Sequence, residues 1–484
     1  MKIFLAVLVI ALLTVFTAIP VLADTQTPLE VDTGLPIVGG VGSDPYTDTF
    51  YAAGRVWVFY LNGDSDICYK SAVPGGELSD EQVVVEISGL YAVEFCVWYD
   101  GATNHVHYAR HNMDSEPDTV VYRMGTPGSG GLITWAADEE TVSETPADLL
   151  TWRTAIAVDE LRNPWVAWID TDGGGNKSIV YVEASTTHNG TWTQDANASC
   201  NLSIDAGNET HAWFVNLCPI GSEGDIMQVA WSSENQTAHD TGLYAVVFNS
   251  TREAGAIQNV VSDGMLYYDR PDAFDFYDLG SAIYVVYTDN AGAIVFGVKS
   301  QIQDWDEATF DFAKEEDGYV FLPTLSGYVD VESGENLLCI ANDGVGLYYG
   351  LHEYGDALDE WTWGLLWEVS DPADLIMRHN AAYKYSSPVG FSWQYTDNSE
   401  GTDTALLWWI DNSNDGAGYY YVAPTPEEVS NNLMKVLFPL GIALGVVLVC
   451  VVMGLGENPG GMVKVAIYGA VAFVVVMLLS NLLL

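Results

Sequence analysis

Between Leu35 and Val422 the chain runs as short apolar alternations interrupted by Gly, Asp and Asn. That is the period-two pattern of strands with one buried face, and no comparable stretch carries helical periodicity. A two-strand unit recurs within it: an alternating run rich in aromatic residues, an Asp/Asn/Gly turn, then a second run carrying Tyr, Phe or Trp. Seven copies are recognisable. They are Val56–Tyr60 with Ile67–Tyr69, Phe95–Asp100 with Val106–Tyr108, Trp165–Asp170 with Ile179–Tyr181, and Met227–Trp231 with Leu243–Ala245. Ile283–Asp289 with Ile294–Phe296, Leu337–Asp343 with Leu347–Tyr349, and Gly390–Asp397 with Leu406–Trp408 complete the set. The later copies lie roughly 50 to 60 residues apart, which is room for one four-stranded blade with its loops.

A blade cannot bury both of its faces alone, whereas circular stacking buries them and leaves few open edges. The expected fold is therefore all-β, a β-propeller of about seven four-stranded blades over residues 24–422, with six or eight blades compatible with the same spacing. A pair of β-sandwiches is the competing architecture, because it too uses short strands and regular turns. Sandwich strands, however, need not repeat a hairpin at near-constant intervals.

The two ends read differently. Residues 1–23 join Lys2 to an apolar run that finishes in Val21-Leu22-Ala23, the form of a secretory signal peptide; an uncleaved N-terminal anchor is the alternative. Residues 433–455 and 462–484 are apolar and each long enough, as a helix, to cross a hydrocarbon core. Only Gly456-Glu457-Asn458-Pro459-Gly460-Gly461 separates them, and Pro with three glycines stops a helix. The pattern predicts a C-terminal transmembrane helical hairpin behind a short linker, 423–432. The implied location is the cell surface, or a virion envelope, with the β-domain outside and the membrane as partner. Gly441 and Gly445 form a small-xxx-small pair through which the hairpin could seat a lateral partner.

Charge narrows the function classes. The chain has 16 Lys+Arg against 66 Asp+Glu, a formal net charge of −50, and only Lys2, Lys435, Lys464 and Glu457 of these lie in the signal and hairpin segments. So negative a β-domain excludes a phosphate-backbone grip, and hence nucleic acid, as its main partner. It suits a salt-rich or divalent-ion setting in which self-repulsion is screened. Acidity together with Asn-x-Ser/Thr sequons resembles the composition of archaeal-type surface glycoproteins.

Seven Asn-x-Ser/Thr sequons, at Asn176, Asn189, Asn197, Asn201, Asn208, Asn235 and Asn249, crowd into one sector and are expected glycan acceptors in a translocated domain. Outside a cell disulfides persist, so Cys200 with Cys218 and Cys68 with Cys96 are candidate pairs, leaving Cys339 buried or intermolecular.

The pattern aromatic-x-Asp, turn, apolar-x-Tyr resembles the blade hairpins of sialidase-like propellers. Such families often carry an Asp box, Ser-x-Asp-x-Gly-x-x-Trp. The nearest stretch here, Ser185-Thr186-Thr187-His188-Asn189-Gly190-Thr191-Trp192, departs from it in lacking the Asp and in its spacing. The resemblance thus implies a fold and not an activity. A sialidase-type site would need three arginines converging on a carboxylate, because the guanidinium fork grips it bidentately. The β-domain offers Arg55, Arg110, Arg123, Arg153, Arg162, Arg252, Arg270 and Arg378, scattered and in no family motif.

His105 and His107 alternate on one strand near His111, a spacing that can ligate a metal, although hairpin-edge histidines more commonly face solvent. Calcium needs several oxygens at short range, and Asp411-Asn412-Ser413-Asn414-Asp415-Gly416 offers Asp411, Ser413 and Asp415 in alternation; Val422 stands where a bidentate Glu would close the loop. Asn62, Asp64 and Asp66, and Asp170 with Asp172, repeat the alternation and equally suit Asx turns. No cofactor is required, and calcium is the one metal the sequence suggests. No nucleophile elbow, HExxH, P-loop or dinucleotide turn occurs. The expected function is a membrane-anchored, non-catalytic surface glycoprotein acting in attachment or as an envelope component. The alternatives are a propeller ectoenzyme acting on glycans and an assembly partner of another membrane protein.

Overall fold

Each of the seven predicted hairpins falls in a different sheet. The computed structural model describes residues between 28 and 410, apart from short connecting stretches. In chain order the antiparallel sheets span residues 47–85, 95–144, 150–201, 210–261, 274–314, 322–368 and 375–410. All have four strands except the second, where Ile133–Trp135 adds a fifth by pairing with Thr119–Pro127. The last sheet gains its outer strand from the other end of the chain, Leu29–Leu35, which pairs with Thr402–Ile410. Lys70 Nζ in the first sheet donates to the Val31 carbonyl of that strand.

The first strands of the sheets, Thr47–Ala52, Phe95–Asp100, Leu150–Val158, Thr210–Pro219, Phe274–Asp278, Leu322–Asp330 and Leu375–Ala381, touch one another in succession. The last of them returns onto the first. The chain is therefore an all-β β-propeller, with those strands innermost. The arrangement solves the burial problem posed by strands that are apolar on both faces. Trp165, Ala167 and Ile169 of the third sheet pack against Val229, Trp231 and Phe248 of the fourth, while Val166 and Trp168 face the second sheet with Tyr122 and Ala109. Full burial of an indole such as Trp57, Trp165 or Trp231 contributes roughly 4–6 kcal/mol at about 25 cal/mol per Å².

The Asp and Asn residues that the alternation placed in turns do their work there. Asn62 Oδ1 accepts from the amides of Asp64 and Asp66, Asp100 Oδ1 from Ala102, Asp289 Oδ1 from Ala291 and Ala293, and Asp343 Oδ1 from Val345 and Gly346. These are Asx turns, which close a hairpin by letting the side chain stand in for a carbonyl.

The predicted Cys68–Cys96 pairing is corrected. Both are buried thiols and not halves of a disulfide, and Cys339 is a buried thiol as well. The reason is directional. Cys96 faces the third sheet, whereas Cys68 alternates with Ile67 and Tyr69, which face the second, so its side chain points the other way. The predicted signal (1–23), linker (423–432) and membrane spans (433–455 and 462–484) lie outside the described residues. Among the described residues no helix is long and apolar enough to cross a membrane.

Candidate functional site

Acidic side chains on the inner strands meet the neighbouring sheet around the ring. Asp48 Oδ1 accepts from its own neighbour Thr49 at 2.8 Å, and Oδ2 accepts from the amide of Val97, on the inner strand of the second sheet, at 2.7 Å. Asp275 Oδ1 takes Phe276 N and Asn216 Nδ2 from the fourth sheet, and its Oδ2 takes Leu325 N from the sixth, each at 2.8 Å. Between them in sequence, Glu94 joins the second sheet to the third: its Oε2 accepts from Arg153 N at 2.6 Å and its Oε1 from the Arg153 guanidinium.

Local backbone chemistry makes the last of these contacts available. The pairing of Leu150–Val158 with Pro164–Thr171 slips between Trp152 and Thr154, so Arg153 is the extra residue of a β-bulge, at φ 53°. A bulged residue loses its place in the ladder and is re-aimed. Its freed amide and its guanidinium both turn to Glu94, and the guanidinium carbon lies 4.6 Å from the centre of the Phe214 ring on the next sheet. Arg153 and Glu94 are both buried, so each charge depends on the other.

Burial also sets the titration of the two aspartates. It pushes the Asp48 carboxyl up to about 7 and that of Asp275 up to about 6, against the lowering effect of the amides that bond to them. An acid inside an apolar run, as in Thr47-Asp48-Thr49-Phe50 or Phe274-Asp275-Phe276, is the signal that would have singled them out.

The described arginines do not converge. Arg55 donates from Nε to Ser71 Oγ and from a terminal nitrogen to the Ser71 carbonyl; Arg110 grips Glu139 through two nitrogens at 2.9 and 2.7 Å. Arg162 meets Asp100 at 3.2 Å, Arg252 donates to the Ser185 carbonyl at 2.6 Å, and Arg123 lies 5.1 Å from the centre of the Trp135 ring. Each is committed to the scaffold in a different place. Arg270 lies outside the described residues, and so does the side chain of Arg378, on the inner strand Leu375–Ala381.

The histidines also depart from expectation. His107 and His111 are buried, and His107 Nδ1 shares a 2.7 Å hydrogen bond with the Tyr122 hydroxyl. Burial pushes the imidazole of His107 down to about 3 and that of His111 to about 4, so both are neutral. No group of three metal-ligating side chains occurs among the described residues. Asp411, Ser413 and Asp415 lie outside them. Of the sequons, Asn189 is exposed on a turn, and Asn249 is half-buried with its Oδ1 accepting from Thr251 N, Thr251 Oγ1 and Glu253 N. Asn201 and Asn235 end strands, whereas Asn176, Asn197 and Asn208 lie outside the described residues.

An outer aromatic group completes the inventory. Trp361 and Trp363 stack with ring centres 5.7 Å apart, Trp361 lies 5.1 Å from His352, and Lys314 Nζ lies 5.0 Å from the Tyr348 ring and 5.5 Å from Trp363. Both indoles are half-buried, and each N–H is held, by the Leu358 and Ala313 carbonyls respectively.

This is the fold of several solved β-propeller structures. An ulvan lyase representing a polysaccharide lyase family is 9% identical, with a TM-score of 0.51, over 80% of this chain and 96% of that one. The BP39L lectin from Burkholderia pseudomallei is 10% identical, with a TM-score of 0.47, over 81% and 99%. A structure from a study of two prolyl endopeptidases is 12% identical, with a TM-score of 0.44, over 77% of this chain; the chain spans about half the length of that protein, 47%. At these identities the likeness is one of fold. No family model matches the chain, and no curated protein matches it.

Proposed function

We propose that the protein is a non-catalytic surface glycoprotein, acting in attachment or recognition or as an envelope component, and that its ring counts seven blades, one for each sheet. The C-terminal hairpin of residues 433–455 and 462–484 would hold it to the bilayer of a cell or a virion, with sugars on the sequon-rich third and fourth blades. One observation carries the non-catalytic reading: each arginine whose side chain is described is tied to its own part of the scaffold, and the buried acids Asp48, Glu94 and Asp275 are occupied in joining sheets. Hydrolysis or elimination at a sugar needs such groups aimed together at one bond.

A glycan is the favoured target. The half-buried pair Trp361 and Trp363 keeps part of its surface in solvent, with Lys314 beside Trp363, and flat rigid aromatics supply contact area at little entropic cost. A panel of glycans and candidate partner proteins presented to the full chain in detergent should reveal binding without release of shortened or unsaturated sugar. Turnover of any glycan would overturn the non-catalytic reading in favour of an ectoenzyme. Two further parts of the proposal have separate tests. Calcium at Asp411, Ser413 and Asp415 predicts a melting midpoint that falls with chelator. A role as an assembly partner predicts that an unrelated single span put in place of the hairpin abolishes assembly.

A further inference from the structure

The packing between the second and third sheets differs from a dry core. Its centre is apolar, with Ala109, Val120 and Tyr122 on one side and Ile156, Val166 and Trp168 on the other. Strand alternation places His107 on the same face as Ala109, and cross-strand pairing places Glu183 on the same face as Val166. Both side chains are almost wholly buried, at 1% and 2% exposure. His107 uses Nδ1 on Tyr122, and its Nε2 has no hydrogen-bond partner; neither does Glu183 Oε1. The indole N–H groups of Trp168, on the same face of the third sheet, and of Trp192 are buried and equally unmet.

Trp192 closes the group from the side. It follows the turn in which Gly190 abuts the Tyr122 ring, and it packs edge-on against Tyr122 at 5.1 Å. The seam thus offers two fixed donors, one carboxyl oxygen and one imidazole nitrogen. Native proteins leave few buried polar atoms without a partner, and a concentration of them marks an unseen guest. A guest that both donates and accepts, at a site with two to four polar partners, is water.

We propose that the seam between the second and third sheets is an internal water site, in which bound water bridges His107 Nε2, Glu183 Oε1 and the indole N–H groups of Trp168 and Trp192. Burial pushes the Glu183 carboxyl up to about 7 and the His107 imidazole down to about 3, so at mildly acidic pH both are neutral and an uncharged guest needs no counter-ion. The site is independent of the proposed surface function, since it holds whatever the propeller binds.

Radiolytic hydroxyl labelling of the full chain in detergent, read by mass spectrometry, tests this, because a water held inside a protein oxidises the side chains around it although bulk solvent cannot reach them. The internal control is Trp165, on the opposite face of the same sheet, fully buried, with its N–H on Asp159 Oδ2 at 2.8 Å. Trp168 and His107 should be labelled severalfold faster than Trp165 and Trp57, and Glu183→Leu should bring Trp168 down towards the rate of Trp165. Equal protection of Trp168 and Trp165 in the native protein would overturn the proposal. So would labelling of Trp168 that Glu183→Leu leaves unchanged; circular dichroism of that variant confirms that the comparison is made on a folded ring.

Discussion

Removing the Glu94 carboxylate should be among the most damaging single changes in the ring. In Glu94→Ala the Arg153 guanidinium and the bulged Arg153 amide both lose an acceptor, in a place where Arg153 is 5% exposed. Breaking a buried ion pair from one side costs about 3–5 kcal/mol, because the remaining charge is stranded. The orphaned amide belongs to the same loss, so the figure is taken once. Urea unfolding of the full chain in detergent, followed by tryptophan fluorescence, measures it as a lower midpoint at unchanged slope. A second variant isolates the cause. In Glu94→Leu/Arg153→Met no charge is left behind, and a well-packed apolar replacement of a buried pair is commonly neutral or better. The double variant should therefore recover most of the loss, giving a coupling of about 2–3 kcal/mol in the cycle closed by the single variants Glu94→Leu and Arg153→Met. A loss below about 1 kcal/mol in Glu94→Ala, or single effects that simply add, would refute the reasoning that this pair holds the second sheet to the third.

Asp48 and Asp275 hold their protons to higher pH in the folded ring than in the unfolded chain, whose aspartates titrate near 3.8. The stability this gives is fully present below about pH 4 and is lost as pH rises through about 6 for Asp275 and 7 for Asp48, so their contribution to a pH–stability curve slopes downward there; Asp48→Asn should flatten the upper part. Gly190→Ala should cost roughly 1–3 kcal/mol, since Gly190 sits at φ +90° and a methyl group would overlap the buried Tyr122 ring. Gly54→Ala, at φ +77° but with open space around it, should cost only about 1 kcal/mol, and a thermal melt distinguishes the two. Cys68, Cys96 and Cys339 should remain inert to a thiol reagent in the folded protein and react together on unfolding, because burial raises all three thiols and a thiolate is the reactive form.

Local order was legible in the chain alone. Strands declared themselves through alternation, and turns through Asp and Asn, because both depend on neighbours a few residues away; Asp289 and Asp343 cap the hairpins in which they were read. The repeat added the propeller, since units that cannot bury both faces alone must stack. What the sequence could not give was direction between sheets. Cys68 and Cys96 are near in sequence, yet Cys96 faces the third sheet while Cys68 points away from the second. Arg153 looked like any scattered arginine until a bulge turned its amide and guanidinium onto Glu94, 59 residues earlier. His107 and Glu183 lie far apart in the chain and share a seam only because two different sheets stack. Period and turn chemistry are properties of a strand and its neighbours, whereas the burial and partner of a polar group depend on which faces meet, and only the closed ring decides that.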